Sequence, residues 1–374
     1  MSIALVLGYD RYHVPLDEVC AALPYGTRPV VLSIRLGDAE DLVPEAGTLC
    51  AYDVMRVDAR VRFAREILSR AIKANACYQD GYYLSAALAR PLTASICVER
   101  AISSGARMLV HGLAGNDCLR FTAGMRTLAP EIELVSVRAL CGSRTAANPD
   151  EYTVSENLWG QSVEAGDLGD PACPGSLEDV SVNGHATPAR LEISFEAGIP
   201  VALDGLRLPL AEFIGTLNRL GSARGIGVTD LVEDGYVGLK TRGRYTAPAA
   251  TMLIAAHKDL ERFVCSRHEN RFKRFVDNAW SELVYDGFWF DPAREALERY
   301  IDFVNERVTG TVTLALGSGA ARPIARSSRN AIYDERHAVY RAGQDFGAHM
   351  IDELATEHSL AARLARNGET LCSA

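Results

Sequence analysis

Unbroken apolar runs of strand length recur in the first third of the chain: Ser2 to Leu7 (SIALVL), Pro29 to Ile34 (PVVLSI) and Met108 to Val110, the last bounded by Gly105 and Gly112. Runs without polar alternation belong to strands covered on both faces. Between them Leu16 to Leu23, Val61 to Ala76 and Ala86 to Ser104 have helix-like spacing, and Glu131 to Val137 reads as a further strand. Strand, helix and strand in that order predict an α/β domain built on a doubly wound parallel sheet.

The pattern changes after Pro188. Ala189 to Pro200 alternates like a half-buried strand, Leu210 to Leu220 is helix-like, and Pro248 to Val264 and Pro292 to Arg307 have the length and spacing of long helices. Thr309 to Leu316 and Arg322 to Ser327 read as paired strands turning at Gly317-Ser318-Gly319, and Gly221 to Gly227 reads as the cap of the preceding helix. Arg271, Lys273 and Arg274 read as one solvated helix face. Asp167 to Pro188, rich in Gly, Pro, Asp and Ser, reads as an exposed connection, and Gly347 to Ala365 as an amphipathic tail helix. The expected division is an α/β domain over 1–166, an α+β domain over 167–340 and a helical tail over 341–374.

Length and composition narrow the partners. A chain of 374 residues exceeds the roughly 250–300 at which single cores stop growing. A net charge of −9 argues against a general polyanion binder, so no nucleic-acid partner is expected. No segment reaches the roughly 18 consecutive apolar residues of a membrane span. The first residues, MSIALVLGYD, lack the basic region and cleavage signature of a signal peptide. Nine dispersed cysteines form no CxxC pair and no zinc spacing, which predicts a reducing cytoplasm and no metal.

The densest candidate chemistry is Ala106 to Phe121, ARMLVHGLAGNDCLRF. An amide, a carboxylate and a cation (Asn116, Asp117, Arg120) follow a buried strand, where open α/β sheets bind ligands. The same residues also fit a capped helix start. His111 reads as a satisfied core histidine and Cys118 as a small buried hydrophobe. The turn after the first strand, Gly8-Tyr9-Asp10-Arg11-Tyr12-His13, carries a carboxylate and bulky rings where a phosphate nest needs small residues.

Several long stretches resemble one family in order: GYYLSAALARP (81–91), HG…GND..RF, YTVSENLWGQSVEAG (152–166), ISFEAGIPVALDG (193–205), VEDGYVGLKTRGRYTAPAATMLIAA (232–256) and ELVYDGFWFDPAREALERYIDFVNERVTGT (282–311). The chain resembles argininosuccinate synthase over roughly residues 1–340, a family that joins citrulline to aspartate using ATP. The resemblance implies an N-terminal domain like those of adenine nucleotide alpha hydrolases, an α+β synthetase domain, a C-terminal oligomerisation helix and a homotetramer. It implies citrulline contacts from Tyr82, Thr153 (a serine in the family), Ser162, Glu233 and Tyr245. Asn116, Asp117 and Arg120 match groups that hold aspartate and the citrulline carboxylate, and Asp117 and Arg120 are the expected catalytic pair. An α-amino acid requires a cation for its carboxylate and acceptors for its ammonium, and this set supplies both.

The departures lie on the nucleotide side. The family loop SGGLDTS aligns with Asp10 to Leu16, DRYHVPL; its threonine–alanine–aspartate segment aligns with Ser33-Ile34-Arg35; GCTGKGND appears as GLAGND; and Ala86 replaces a hydroxyl residue. From these we expect no ATP or magnesium cofactor, with Arg11 and Arg35 binding an anionic substituent instead. Three readings follow: an enzyme acting on C–N bonds of a citrulline- or arginine-like amino acid without conventional ATP activation, a non-catalytic amino-acid-binding paralogue, and an ATP-dependent synthase with an altered loop.

Overall fold

The computed structural model describes residues 2–8, 16–38, 53–142, 152–173, 189–334, 352–360 and 362–363. The chain divides into two units, Met1–Ala331 and Ile332–Ala374. In the second, residues 352–360 form a helix within the segment read as amphipathic.

The first unit opens with a parallel sheet of β1 (Ser2–Gly8), β2 (Thr27–Arg35), β3 (Asp53–Asp58), β4 (Met108–His111) and β5 (Glu133–Ser136), in the order β3-β2-β1-β4-β5. Alternate residues of β1 enter different cores. Leu5 and Leu7 face one side with Leu32 and Leu109, while Ala4 and Val6 face the other with Val31 and Val110. Both faces are therefore covered, which is why these strands read as continuous apolar runs. On one side lie α1 (Leu16–Ala22) and α6 (Val137–Cys141), through Val19 and Val137. On the other lies α4 (Ser85–Ser104), 20 residues long and closed by Gly105 in a left-handed conformation. The chain builds outward from β1 in both directions, so β1 and β4 flank the point where strand order reverses. Their carboxyl ends open the crevice that such sheets use for ligands.

Two antiparallel sheets follow. One has the order β11-β12-β7-β6, from β6 (Tyr152–Asn157), β7 (Gly160–Ala165), β11 (Val228–Asp234) and β12 (Lys240–Thr246). The other has the order β10-β9-β8-β13-β14, from β8 (Ala189–Glu196), β9 (Ile199–Leu203), β10 (Leu206–Arg207), β13 (Gly310–Gly317) and β14 (Ala320–Ser327). The helices α5 (Gly115–Leu128), α7 (Leu210–Ser222), α8 (Pro248–Val264), α9 (Arg267–Tyr285) and α10 (Pro292–Asn305) complete the unit. The 317–319 hairpin and the cap after α7 form as expected, the latter through Ile226 N–H donating to the Gly221 carbonyl at 3.0 Å. The segment read over Val61 to Ala76 is helical from α2 (Arg60–Arg62) through a π-helical stretch, Phe63–Leu68, to α3 (Ser69–Lys73). β3 escapes sequence reading because it is an edge strand with alternating polar residues.

One expectation is corrected by α9. Lys273 does not share a solvated face with Arg271 and Arg274: it is 1% exposed, and its ammonium donates to Asp277 at 2.5 Å and lies 3.1 Å from Glu261. Asn75 donates to both carboxylates, and His257 lies 2.7 Å from the side-chain oxygens of Asn75 and Asn305. Burial alone would lower the Lys273 pKa, but Asp277 and Glu261 raise it above its ordinary value. Charge runs in a helix predict exposure only when no acidic partner sits one turn away, and here Asp277 does. Replacing Lys273 with methionine leaves two buried carboxylates without their cation and should cost about 3–5 kcal/mol. Guanidinium denaturation reads this as a lowered midpoint; an unchanged midpoint contradicts it.

Candidate active site

α5 begins directly beyond β4. Its N-cap, Ala114, offers no capping side chain, so the first amides of this 14-residue helix face the crevice without intrahelical acceptors. His111, at the end of β4, is 3% exposed and its Nδ1 has no hydrogen-bond partner among the described residues; burial lowers its pKa to about 4. It is thus buried as expected but not satisfied.

The first turns of α5 carry Asn116, Asp117 and Arg120. Asp117 accepts from Arg90 of α4 at 2.6 Å and from Arg120 at 3.2 Å. Burial opposes its ionisation, but the two guanidiniums prevail and hold its carboxyl below the usual range. Arg120 also donates through Nε to the Tyr285 carbonyl at 2.5 Å and lies 4.6 Å from the centre of the Tyr285 ring, which leaves Nη2 without a hydrogen-bond partner among the described residues. The approach is this close because Gly287, at φ +89°, abuts α5: a Cβ there would lie 3.0 Å from the Arg120 Cα.

The antiparallel sheet supplies the opposite wall. Tyr245 pairs across strands with Ser162, and Ser162 with Ser155; one row along, Gly243 pairs with Glu164, and Glu164 with Thr153. Side chains alternate along a strand, so Glu233, Tyr245, Ser162, Glu164 and Thr153 share one face. Arg90 reaches Ser155 on this face at 3.5 Å. Gly243 is required where it stands, since any Cβ would collide with the Tyr245 hydroxyl.

Tyr285 joins the two walls. Its hydroxyl donates to Glu233 at 3.0 Å and accepts from Asn116 at 3.4 Å. Its ring stacks on Tyr78 at 3.7 Å and meets Tyr82 edge-on at 6.3 Å, while Tyr82 stacks on Tyr245 at 4.3 Å. The Tyr82 hydroxyl accepts the Ala86 and Ala87 amides at 3.0 and 3.3 Å, capping α4 and keeping its own proton to donate. Glu233 is 4% exposed; burial raises its pKa against the opposing Tyr285 and Tyr245 hydroxyls, and its Oε2 has no well-aligned hydrogen-bond partner among the described residues.

The structure thus brings Tyr82, Asn116, Asp117, Arg120, Ser162, Glu233 and Tyr245 together, with Thr153 beside them on the sheet face. Cys118 packs half-buried against the core, as read. Arg35 is apart: its guanidinium donates to the carbonyls of Gly37 and Asp38 at 3.1 and 3.3 Å. Arg11 and the turn it belongs to lie outside the described residues. Arg90, Glu164 and Tyr285 were missed. The signals were present, since Tyr285 follows Trp280 and Ser281 on the buried face of α9 and Glu164 is two residues from Ser162.

Residues 22–155 match the model of the arginosuccinate synthase N-terminal HUP domain, and residues 152–365 that of the arginosuccinate synthase C-terminal domain. The chain belongs to the argininosuccinate synthase family. Among its relatives, the argininosuccinate synthase of Pyrococcus furiosus is 37% identical over 86% of the chain and 84% of the relative. That of Methanocaldococcus jannaschii is 37% identical over 83% and 85%, and that of Rubrobacter xylanophilus 38% over 84% and 83%.

Membership in the argininosuccinate synthase family corrects the expectation of no nucleotide. The family is ATP-dependent and uses magnesium, and these relatives over most of the chain favour the ATP-dependent reading over both alternatives. The bulky first turn does not outweigh them. The unpaired amides opening α5 and the unsatisfied His111, both at the carboxyl ends of the strands, fit an anionic group. Among the described residues no three His, Cys, Asp or Glu cluster to hold a metal; magnesium travelling with phosphates needs only one or two carboxylates.

The depressed Asp117 pKa has a signed consequence. Its stabilising contribution is complete above the unfolded carboxyl value, about 4, and is lost as pH falls through the lower folded value. The gap in unfolding free energy between wild type and Asp117→Asn should therefore be constant near neutrality and shrink below about pH 4. Denaturant titrations across pH measure it; a gap that widens on acidification contradicts the arrangement.

Proposed function

We propose that the protein is an ATP-dependent ligase that joins the ureido carbon of citrulline to the α-amine of aspartate. One observation supports this above the others: a buried cation with a free donor edge, Arg120, and a buried carboxylate with a free oxygen, Glu233, face one crevice. Together they complement the carboxylate and ammonium of an α-amino acid. In this reading Arg120 holds the citrulline carboxylate, and Glu233, Tyr245, Ser162, Thr153 and Tyr82 surround its head group. Asn116 and Asp117 hold aspartate against the start of α5. ATP, when bound, supplies a leaving group at the ureido oxygen, and the amides at the start of α5 are the residues here that would hold its phosphates. Asp117 and Arg90 keep Arg120 in position, and the tyrosine cluster walls the head group from water.

A homotetramer belongs to the same proposal. The turn between β11 and β12 exposes Tyr236, Val237 and Leu239, at 51%, 63% and 71%, a covered face in an assembly. A cytoplasmic location is supported by the seven described cysteines, none of which is in a disulfide. Among the described residues no helix is long and apolar enough to cross a membrane.

Incubation with citrulline, aspartate and magnesium–ATP should yield argininosuccinate, AMP and pyrophosphate. Arg120→Met should lower kcat/KM for citrulline by about 10- to 100-fold, the worth of a hydrogen bond to a charged group. Failure of the wild type to form AMP overturns the proposal.

A further inference from the structure

Joining an amine to carbon requires a base. At neutral pH the α-amine of an amino acid is an ammonium without a lone pair, and one proton must leave before it attacks. The reading just given names no group that takes it. Among the described residues Asp117, Glu233, Glu164 and His111 stand on the strands and helix that wall the crevice, and their surroundings separate them.

Asp117 is held between two guanidiniums and stays ionised, which makes it a poor acceptor. Glu233 is committed to Tyr285 and is almost fully buried. His111 lies at the end of β4, with its ring edge-on to Phe121 at 5.5 Å, and burial disfavours its protonation. Glu164 differs from all three. It remains open to water, and its carboxylate makes no hydrogen bond or ion pair with a described residue. Its place in the strand register puts it on the same face as Ser162, Tyr245 and Glu233.

Resting on the synthase reading, we propose that Glu164 is the general base that deprotonates the attacking α-ammonium of the second amino acid. The ammonium gives one proton to the Glu164 carboxylate, and the freed lone pair forms the new C–N bond to the activated ureido carbon. As the C–O bond to the leaving group breaks, its electron pair departs with the phosphate oxygen. The nitrogen loses its second proton to solvent, leaving a guanidinium.

The surroundings suit this work. The Glu164 carboxyl is reached by water yet has protein on several sides, and that partial desolvation, with repulsion from Asp117 and Glu233, pushes it up to about 7. Arg120 and Arg90 oppose the shift from α5 and α4, and Tyr82 and Tyr245 also face it. A base is most effective when its pKa lies near the working pH, and such catalysis contributes typically about 10²- to 10⁴-fold.

The test is Glu164→Gln in the full-length protein, with citrulline-dependent exchange between pyrophosphate and ATP measured beside product formation. Exchange does not involve the amine and should stay within about twofold of wild type. The kcat for aspartate should fall about 10²- to 10³-fold, and the acidic limb of its pH profile, centred near 7 in the wild type, should vanish. Hydroxylamine, an amine largely unprotonated at neutral pH, should react equally well with both proteins. An unchanged kcat and pH limb overturns the proposal. So does an equal loss of exchange and turnover, which marks a merely structural role. Absence of exchange in the wild type sinks the synthase reading and this proposal with it.

Discussion

Asp117 caught between two guanidiniums is the constraint on which the site depends. Arg90 is fully buried in α4, Arg120 is nearly so in α5, and each would be prohibitive alone in a low-dielectric interior. The shared carboxylate makes both tolerable. Its geometry also registers the parallel-sheet domain against the rest: Arg90 continues to Ser155 on the antiparallel sheet, and Arg120 to the Tyr285 carbonyl at the end of α9. Four elements, α4, α5, β6 and α9, meet at one ionic centre. Such centres are sensitive to the loss of any member, because the remaining charges are left without compensation.

The tyrosines perform the complementary task. Tyr78, Tyr82, Tyr245 and Tyr285 stack or meet edge-on, so each fixes the plane of the next; the Tyr285 hydroxyl is spent on Glu233 and Asn116, that of Tyr82 on the amides of α4, and that of Tyr78 on the Asp234 carbonyl. Aromatic walls with polar rims exclude water from the head-group region while leaving a cation edge and a carboxylate oxygen unspent. In the proposed ligase this arrangement is preorganised for a zwitterion, and its donors need little rearrangement at binding. Gly243 and Gly287 make the packing possible by removing the Cβ atoms that would separate the walls.

Much of this was legible in the sequence. The apolar runs at 2–7, 29–34 and 108–110 predicted strands covered on both faces, and ordinary burial physics makes such runs readable. Seven of the residues expected to bind amino acids lie close together across the two walls of the crevice. Three kinds of information were not local. Arg90 reads as one polar residue in an apolar helix until Asp117 is folded against it. Glu164 and Tyr285 acquire their meaning from cross-strand register and helix docking. Lys273 misled because a basic run looks solvated unless the acidic residues facing it, one of them on the preceding helix, are known. The absence of a recognisable phosphate nest in the first turn argued against ATP, yet kinship spread over most of the chain outweighs one short loop.

The proposed ligase needs a single crevice, shaped for amino acids by the Arg90–Asp117–Arg120 bridge. The most direct measurement is a crystal structure with citrulline and aspartate bound. It should show a carboxylate on Arg120 Nη2, an ammonium at Glu233 Oε2, and the bridge unaltered. Amino-acid density elsewhere in the molecule, or an Asp117 freed from Arg90 on binding, would contradict it.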